Sequence, residues 1–388
     1  MKSKSISSLN TNPYEAGLEL GEALHSIQPE AILLFASIHY ADFSELFDGL
    51  YDGLETRDVT IIGGAGAGIY ETSQVGDVGV CALGFNSNGT VTWSLALESD
   101  IMADAYSAGQ NCADSLLAQA QDDDLSFSFI FSGMGGNGNQ LTAGIRSVTD
   151  TPCVGGLTGD GSLFHKGVVL VNGRLYEDTV AMLGVSGNLS FRVNLASGWC
   201  PVGYPGVVEK INGTSIEQIS GQPAAEFVSQ QISQQPLEGA LDFMTLAAYQ
   251  QNGNEEQFTI RAPYKTDEDS GVISYYGSVE PGTPVRVCFA TREDVMSGVD
   301  EAVEGLPELD FEPIAGLVIS CAVRKFILGE STANEVKNLA PALPASMPLV
   351  GAPTFGEIAP HPKADGSYSG TYFHNVTYVL AVFGVPTT

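Results

Sequence analysis

The chain has 388 residues, 44% of them hydrophobic, and its 46 acidic and 16 basic side chains give a formal net charge of −30. Nucleic acids and anionic membranes both need a cationic surface, so this charge excludes them as partners. The length is sufficient for two ordinary hydrophobic cores, and we expect two domains.

The first part of the chain predicts alternating helices and strands. Apolar residues recur at helical spacing over residues 14–27 and, more clearly, over residues 42–54. Each helix precedes an apolar run that is typical of a buried strand, at residues 31–37 and from residue 59. The Asn88-Gly89 step between two later apolar segments predicts a hairpin, which would make part of the sheet antiparallel.

The middle of the chain repeats this order. We predict a helix over residues 104–121, a strand over 127–133 and a helix over 140–148, followed by a meander with turns at Asn172-Gly173 and Gly187-Asn188. From Gly198 the sequence becomes rich in Gly and Pro, which indicates a domain border. We therefore expect an N-terminal segment with a helix at 1–29, one domain at 30–222 and a second at 223–388.

The last part predicts several strands, a helix over residues 293–306 and a third strand–helix–strand unit. Its middle helix has Thr332 and Glu335 at capping-box spacing, and a buried stripe follows: Val336, Leu339, Ala340 and Leu343. We place residues 374–377 inside a final strand. No effector module follows that strand, so we expect any signal to pass to a partner.

One pattern occurs three times and organises the chain. Apolar strands at residues 31–37, 127–133 and 315–321 are each followed, after a helical segment, by a strand ending in glycines. The intervals from Ser37 to Gly63, Gly133 to Gly155 and Cys321 to Gly351 are 26, 22 and 30 residues. We predict a mixed α/β (α+β) fold, with two domains of mixed parallel and antiparallel sheets flanked by helices. We interpret the glycines as bends at strand exits, either tight turns or the walls of a pocket.

The chain shows no sign of secretion or membrane insertion. Its amino terminus lacks the apolar core of a signal peptide, and no uncharged apolar run reaches the roughly 18 residues of a membrane span. The six cysteines form no CxxC pair and most lie in apolar contexts, as reduced core cysteines do. We expect a cytoplasmic protein.

Few segments match a known catalytic or metal motif. Gly133 to Gly138 reads GxGxxG with Asp160 beyond it, as in dinucleotide-binding folds, but glycines and hairpins follow where such a fold continues βαβ. We find no GxSxG, HExxH or P-loop, and the histidines are too scattered for a metal centre: His25, His39, His165, His361 and His374. A haem needs one axial histidine, so spacing does not exclude it.

Polar residues cluster on the apolar strands of the last 70 or so positions. Arg324 follows one predicted strand and Glu357 follows the next. Because sheet ends gather ligand groups in open α/β folds, we expect these two side chains to converge. They would either bind each other as a buried ion pair or bind the carboxylate and ammonium of a zwitterion.

The same residues carry a resemblance to a family. The order of Ser320, Cys321, Arg324, Leu328 and Gly329, then PLVG (348–351), GEIAP (356–360) and His374-Asn375-x-Thr377, resembles the carboxy-terminal half of FIST proteins. The IIGGAGAG and VGGLTGDG segments and GWCPVGYP from Gly198 resemble the amino-terminal half. Val323 stands where the family has glycine before the arginine, which puts the identity of the ligand in doubt.

This resemblance implies a sensory domain for small ligands, with amino acids proposed as ligands, that signals through another protein. By matching position it implies a site made of Cys321, Arg324, Glu357, His374 and Asn375, and we add the glycines Gly351 and Gly356. We expect no catalytic residue, metal or cofactor.

Two alternatives remain open. Some similar proteins bind haem and sense nitric oxide through a histidine kinase, in which case His374 or His39 would be the axial ligand. An enzyme with Cys321 as nucleophile is the other, and it requires that Arg324 lower the pKa of the thiol.

Overall fold

A computed structural model describes residues 1–40, 42–72, 74–120, 125–159, 167–232, 241, 244–249, 257–339, 343–344 and 347–386. The predictions that involve Asp160, His165 and Ala340 lie outside these residues.

Three units of the same element order follow one another along the chain. The first contains β1 (Lys2–Ser8), α1 (Pro13–His25), β2 (Ala31–Ser37), α2 (Phe43–Leu54), β3 (Thr60–Gly66), β4 (Ile69–Glu71), β5 (Gln74–Gly76) and β6 (Val80–Asn86). The second contains β7 (Val91–Ser99), α3 (Ala105–Ala120), β8 (Leu125–Gly133), α4 (Gly138–Arg146), β9 (Cys153–Thr158), β10 (Val168–Val171), β11 (Arg174–Glu177) and β12 (Thr179–Gly187).

The third unit begins with β13 (Ser190–Ala196) and is then interrupted. The interruption, which we call the insert, contains β14 (Cys200–Asn212), β15 (Ser215–Ile219), β16 (Gln222–Pro223), α5 (Ala224–Ile232), β17 (Thr245–Tyr249), β18 (Phe258–Arg261), β19 (Pro263–Asp267), β20 (Val272–Tyr275) and β21 (Pro284–Phe289). The unit resumes with α6 (Arg292–Glu304), β22 (Phe311–Cys321), α7 (Ala322–Leu328), a 3₁₀ turn (Gly329–Ala333), α8 (Asn334–Lys337), β23 (Leu349–Thr354), β24 (Glu357–Pro362), β25 (Tyr368–His374) and β26 (Tyr378–Pro386).

The units exchange hairpins in a cycle. Each builds a six-stranded sheet around one parallel pair, β2–β3, β8–β9 or β22–β23. The hairpin that follows the second strand of a pair joins another unit's sheet: β4 pairs with β23, β10 with β3 and β24 with β9. The chain then returns to its own sheet, where β6, β12 and β26 pair with β2, β8 and β22. The three sheets are therefore interlocked, and we call them together the body.

The three sheets enclose one core and carry helices on their outer faces. In β2, Leu33 and Phe35 face the central core while Ile32 and Leu34 face α1 and α2. Successive side chains of a strand point to opposite faces, so a strand covered on both sides must be apolar throughout. The central core joins residues of all three sheets, and the rings of Phe35 and Phe131 lie 5.3 Å apart across it.

The recurring glycines lie inside strands rather than at bends, which corrects our interpretation. Gly63, Gly155 and Gly351 are paired in register with residues of β2, β8 and β22. A Cβ at these glycines would lie 1.8 to 1.9 Å from the carbonyl oxygen of the paired residue. Glycine therefore recurs because the parallel strands approach too closely for any side chain.

The predicted mixed α/β class, with its recurring strand–helix–strand–hairpin unit, is confirmed. The border at residue 222 stays a prediction; that residue lies in β16 of the insert, whose eight strands form a sheet of their own. No helix in the described ranges is long and apolar enough to cross a membrane.

Several local predictions were wrong. The predicted meander does not continue through Gly187-Asn188, because β12 and β13 pair in different sheets. Asn88-Gly89 is a turn, but the strands it joins, β6 and β7, pair in different sheets. The capping box belongs to α6, between Thr291 and Asp294, whereas the Thr332 hydroxyl bonds to the carbonyls of Lys325 and Gly329.

Candidate functional site

The main cavity has a volume of about 480 Å³ and lies between the body and the insert. The body contributes the loop from Met134 to Gly138 and side chains at strand ends, among them Leu157, Cys321, Thr354, Phe373 and Asn375. The insert contributes Thr214, Ala262, Tyr264, Tyr275 and Tyr276. The wall is therefore largely apolar and aromatic, with a few neutral polar groups.

The topology explains why these groups meet. Parallel strands end at the same edge of a sheet, and the cavity receives the carboxyl-terminal ends of two parallel pairs, β8–β9 and β22–β23. Cys321 is the last residue of β22 and Thr354 the last of β23. The expectation that strand ends gather polar groups holds at this edge.

Glu357 lies behind the cavity wall and supports it. This buried carboxylate accepts hydrogen bonds from the Thr377 amide at 3.0 Å, the Thr377 hydroxyl at 2.7 Å and the Thr354 hydroxyl at 3.2 Å. Burial raises the pKa of Glu357 to about 7, although these hydrogen bonds act in the opposite direction. Two cavity residues, Thr354 and Cys321, thus contact one carboxyl group whose pKa lies near neutrality.

The Cys321 thiol does not meet the condition for a nucleophile. Burial raises its pKa well above the ordinary value of 9.0, and the Glu357 carboxylate raises it further. The nucleophile hypothesis required the opposite shift. Arg324, which was to lower this pKa, is engaged elsewhere.

Arg324 pairs with Glu335 and not with Glu357. Its Nε lies 2.9 Å from Oε1 of Glu335, and both side chains are fully buried. Nη1 and Nη2 of Arg324 donate to the carbonyls of Ser197 and Val295. Arg324 does not line the main cavity, so the expected convergence with Glu357 is wrong. Arg324 does form a buried ion pair, but with Glu335, so the predicted pair with Glu357 is wrong.

Asn375 connects the body with the insert. It lies in the turn between β25 and β26, and not inside the last strand as predicted. Its Oδ1 accepts from the Ala262 amide of the insert at 3.3 Å, and its Nδ2 donates to the His374 carbonyl at 3.0 Å. Asn375 and Ala262 both line the cavity, so a ligand there would contact this link.

Of the two predicted site glycines, only Gly356 affects the packing of the cavity wall. Gly351 lies inside β23, away from the cavity. Gly356 has φ +142°, and a Cβ there would lie 2.2 Å from the Phe373 ring. Its carbonyl accepts from the Leu157 amide at 2.8 Å. Gly356 therefore permits the packing of two wall residues, Phe373 and Leu157, without touching a ligand.

Comparison with protein families gives two matches, which together cover most of the chain. The FIST N domain matches residues 30–222 and the FIST C domain matches residues 224–360. The chain belongs to the FIST family. FIST domains are sensory domains for small ligands, which gives this chain a sensory role in general terms.

Comparisons with individual proteins add little to the family assignment. No curated protein matches this FIST chain. Among solved structures, a cyanuric acid hydrolase from A. caulinodans is 10% identical with a TM-score of 0.36, over 100% of this chain and 99% of that one. PurLQS from Thermotoga maritima is 11% identical with a TM-score of 0.20, over 99% and 72% of the two chains. Scores this low do not show a shared fold.

The histidines of this FIST chain do not fit a haem at the main cavity. No histidine is among its described lining residues. His374 is 1% exposed, its Nε2 lies 3.0 Å from the Ala359 carbonyl, and it faces a different cavity together with His361. His39 is exposed and also lies away from the main cavity. Within the described ranges, no group of three or more His, Cys, Asp or Glu could hold a metal ion.

The GxGxxG loop lies on the wall of the cavity, but its helix is already capped. The Asn137 side chain accepts hydrogen bonds from the amides of Asn139 and Gln140, the groups that a pyrophosphate would need.

The tyrosines of the insert were not predicted as site residues. The adjacent pair Tyr275 and Tyr276 is the feature of the sequence that could have indicated them.

Proposed function

We propose that this FIST protein binds a small ligand in the main cavity and passes the signal to a partner protein such as a histidine kinase. The observation that carries this proposal is that one cavity of about 480 Å³ has walls from both the body and the insert. A ligand that touches both parts stabilises one arrangement of the insert on the body, and a partner can recognise that arrangement.

The wall favours a ligand without net charge. No charged side chain is among the described lining residues, and the Arg324 guanidinium is occupied by Glu335. Transferring a charged group into such an apolar site is costly unless it is paired. The rings of Phe373, Tyr275 and Tyr276 can instead pack on a planar or apolar ligand, and Thr354 can hydrogen-bond to it. We therefore propose a small neutral, planar ligand in place of the zwitterion.

Thermal unfolding across a metabolite panel tests the proposal. The panel contains neutral heterocycles and amides in one arm and free amino acids in the other. A ligand at about 100 times its Kd adds roughly 2.7 kcal/mol of stability, which raises the Tm by several degrees. We expect hits in the neutral arm, and hits confined to the amino acids would contradict the proposed ligand class.

Two matched tyrosine variants locate the site. Tyr276→Ala removes a wall ring of the main cavity, whereas Tyr204→Ala removes a ring of the same insert that is 69% exposed and lies outside the cavity. We expect the best hit to bind at least about tenfold more weakly to Tyr276→Ala, the loss of one well-packed ring. Equal binding by both variants would show that the ligand lies elsewhere.

A further inference from the structure

A second cavity of about 350 Å³ contains two arginines. Its described lining includes Asn139, Arg146, Thr259, Arg261, Ser278 and Tyr372, and we call it the arginine cavity. It is distinct from the main cavity, although the Arg261 guanidinium lies 5.8 Å from the centre of the Phe373 ring, which lines that cavity.

Arg261 is a buried cation without a counter-ion among the described residues. Its side chain is 2% exposed, and Nε and Nη1 donate to the backbone carbonyls of Ser278, Ile260 and Phe373 at 2.8 to 3.2 Å. Nη2 has no hydrogen-bond partner in the described part of the chain. A charge taken out of water is costly unless an opposite charge compensates it. Nη2 of this guanidinium is therefore free to donate a hydrogen bond, and no described carboxylate compensates the positive charge.

Arg146 lies in the last turn of α4 and lines the same cavity. Its Nη1 donates to the Thr371 carbonyl, and its guanidinium lies 4.3 Å from the centre of the Tyr372 ring. Among the described residues, no carboxylate lies within ion-pair distance of Arg146 or Arg261. Burial lowers the pKa of Arg146, and it lowers the pKa of Arg261 to about 9, so Arg261 remains protonated at neutral pH.

Three other arginines of the chain are paired with carboxylates. Arg324 pairs with Glu335, Arg192 with Asp310 and Arg57 with Asp48. The chain has 46 acidic residues and 16 basic ones, yet the buried Arg261 and the half-buried Arg146 have no carboxylate partner among the described residues. The carboxylate that does line this cavity, Glu280, is solvent-exposed and lies beyond ion-pair distance.

We propose that the arginine cavity binds a small oxyanion, either a carboxylate or a phosphate, between Arg261 and Arg146. Arg261 offers the donors of Nη2, and Arg146, of which only Nη1 has a hydrogen-bond partner among the described residues, offers those of Nε and Nη2. Separate N–H donors of fixed direction match the several oxygens of an oxyanion, which a spherical halide does not have. Asn139 adds a second requirement, because its Oδ1 is buried without a hydrogen-bond partner in the described residues. An oxyanion that also carries a hydroxyl satisfies this acceptor, as in hydrogen phosphate or a hydroxycarboxylate.

Calorimetric titration with two probes tests the site. Sodium phosphate and sodium lactate are titrated separately into the full chain at pH 7.5, with ionic strength held constant by sodium chloride because salt screens the large negative charge. Binding of phosphate alone assigns the site to phosphate, and binding of lactate alone assigns it to hydroxycarboxylates. If neither probe binds in competition with chloride, the proposal is overturned.

Three charge variants identify where the probe binds. Arg146→Gln is expected to weaken binding at least tenfold, whereas Arg57→Gln, which removes an exposed guanidinium, leaves it unchanged. Glu280→Gln is expected to tighten binding several-fold, because it removes a negative charge from the lining. Arg146→Gln is preferred to an Arg261 variant because Arg261 also ties together three backbone carbonyls. Unfolding midpoints confirm that each variant is folded, and equal weakening by Arg146→Gln and Arg57→Gln would refute the proposed site.

Discussion

Arg324 and Glu335 form a fully buried ion pair, with Nε and Oε1 2.9 Å apart, that joins the two short helices after β22. The Glu335 carboxylate also accepts from the hydroxyls of Tyr70 at 2.9 Å and Ser320 at 3.1 Å. The pair therefore holds together elements of the first and third units, and its role is structural.

Breaking this pair should destabilise the fold without acting on the main cavity. Arg324→Met leaves the Glu335 carboxylate buried and uncompensated, which costs about 3–5 kcal/mol. The double variant with Glu335→Gln should recover part of that loss, as measured by urea unfolding in a double-mutant cycle. Arg57→Met, in an exposed pair, is the control and should change stability by less than about 1 kcal/mol. A change that small in Arg324→Met would contradict the structural role.

Glu357 should make the protein less stable as the pH rises towards neutrality. Its pKa is 4.5 in the unfolded chain and about 7 in the fold, so between these values the native state binds one more proton. Stability therefore falls as pH increases through this window, by about 3 kcal/mol at 1.36 kcal/mol per unit. The measurement is the difference in unfolding free energy between the native sequence and Glu357→Gln at pH 5 and pH 7.5. A difference that does not change with pH would show that Glu357 ionises normally in the fold.

The Cys321 thiol should react slowly with alkylating reagents. Cys321 is 4% exposed and both its burial and Glu357 raise its pKa, whereas Cys200 is exposed. We expect iodoacetamide at pH 8 to label Cys200 well before Cys321, as followed by peptide mass spectrometry. Glu357→Gln removes one cause of the raised pKa and should accelerate labelling of Cys321 while leaving Cys200 unchanged. Rapid labelling of Cys321 in the native sequence would instead reopen the nucleophile hypothesis.

Gly351 should tolerate no side chain. A Cβ there would lie 1.9 Å from the Val318 carbonyl oxygen, so β22 and β23 must separate, at a cost of about 1–3 kcal/mol or more. Gly76→Ala is the control, because the nearest atom to its added Cβ lies 3.3 Å away. Thermal unfolding should show a clear loss of Tm for Gly351→Ala and a small change for Gly76→Ala. Equal Tm values would mean that the two strands are further apart than described.

The sequence by itself determined the local elements. The apolar run of β2, the stripe of α2 and the Asn172-Gly173 turn each depend on residues close in the chain, and each was found where predicted. The recurrence of Gly63, Gly155 and Gly351 was also visible in the sequence, because each of the three close strand contacts requires a glycine at the corresponding position. The acid excess predicts that nucleic acids and anionic membranes are not partners, and this prediction needs no coordinates because net charge is a property of the sequence.

Only the tertiary structure decided which of these elements meet. Backbone hydrogen bonds between strands are the same for every sequence, so nothing local shows that β4 pairs with β23 or that Asn88-Gly89 joins strands of two sheets. A charged side chain likewise pairs with whichever opposite charge the fold places beside it, and Arg324 pairs with Glu335 rather than Glu357. The sequence could not show that Arg261 has no carboxylate partner among the described residues, because this depends on which groups the fold places around it.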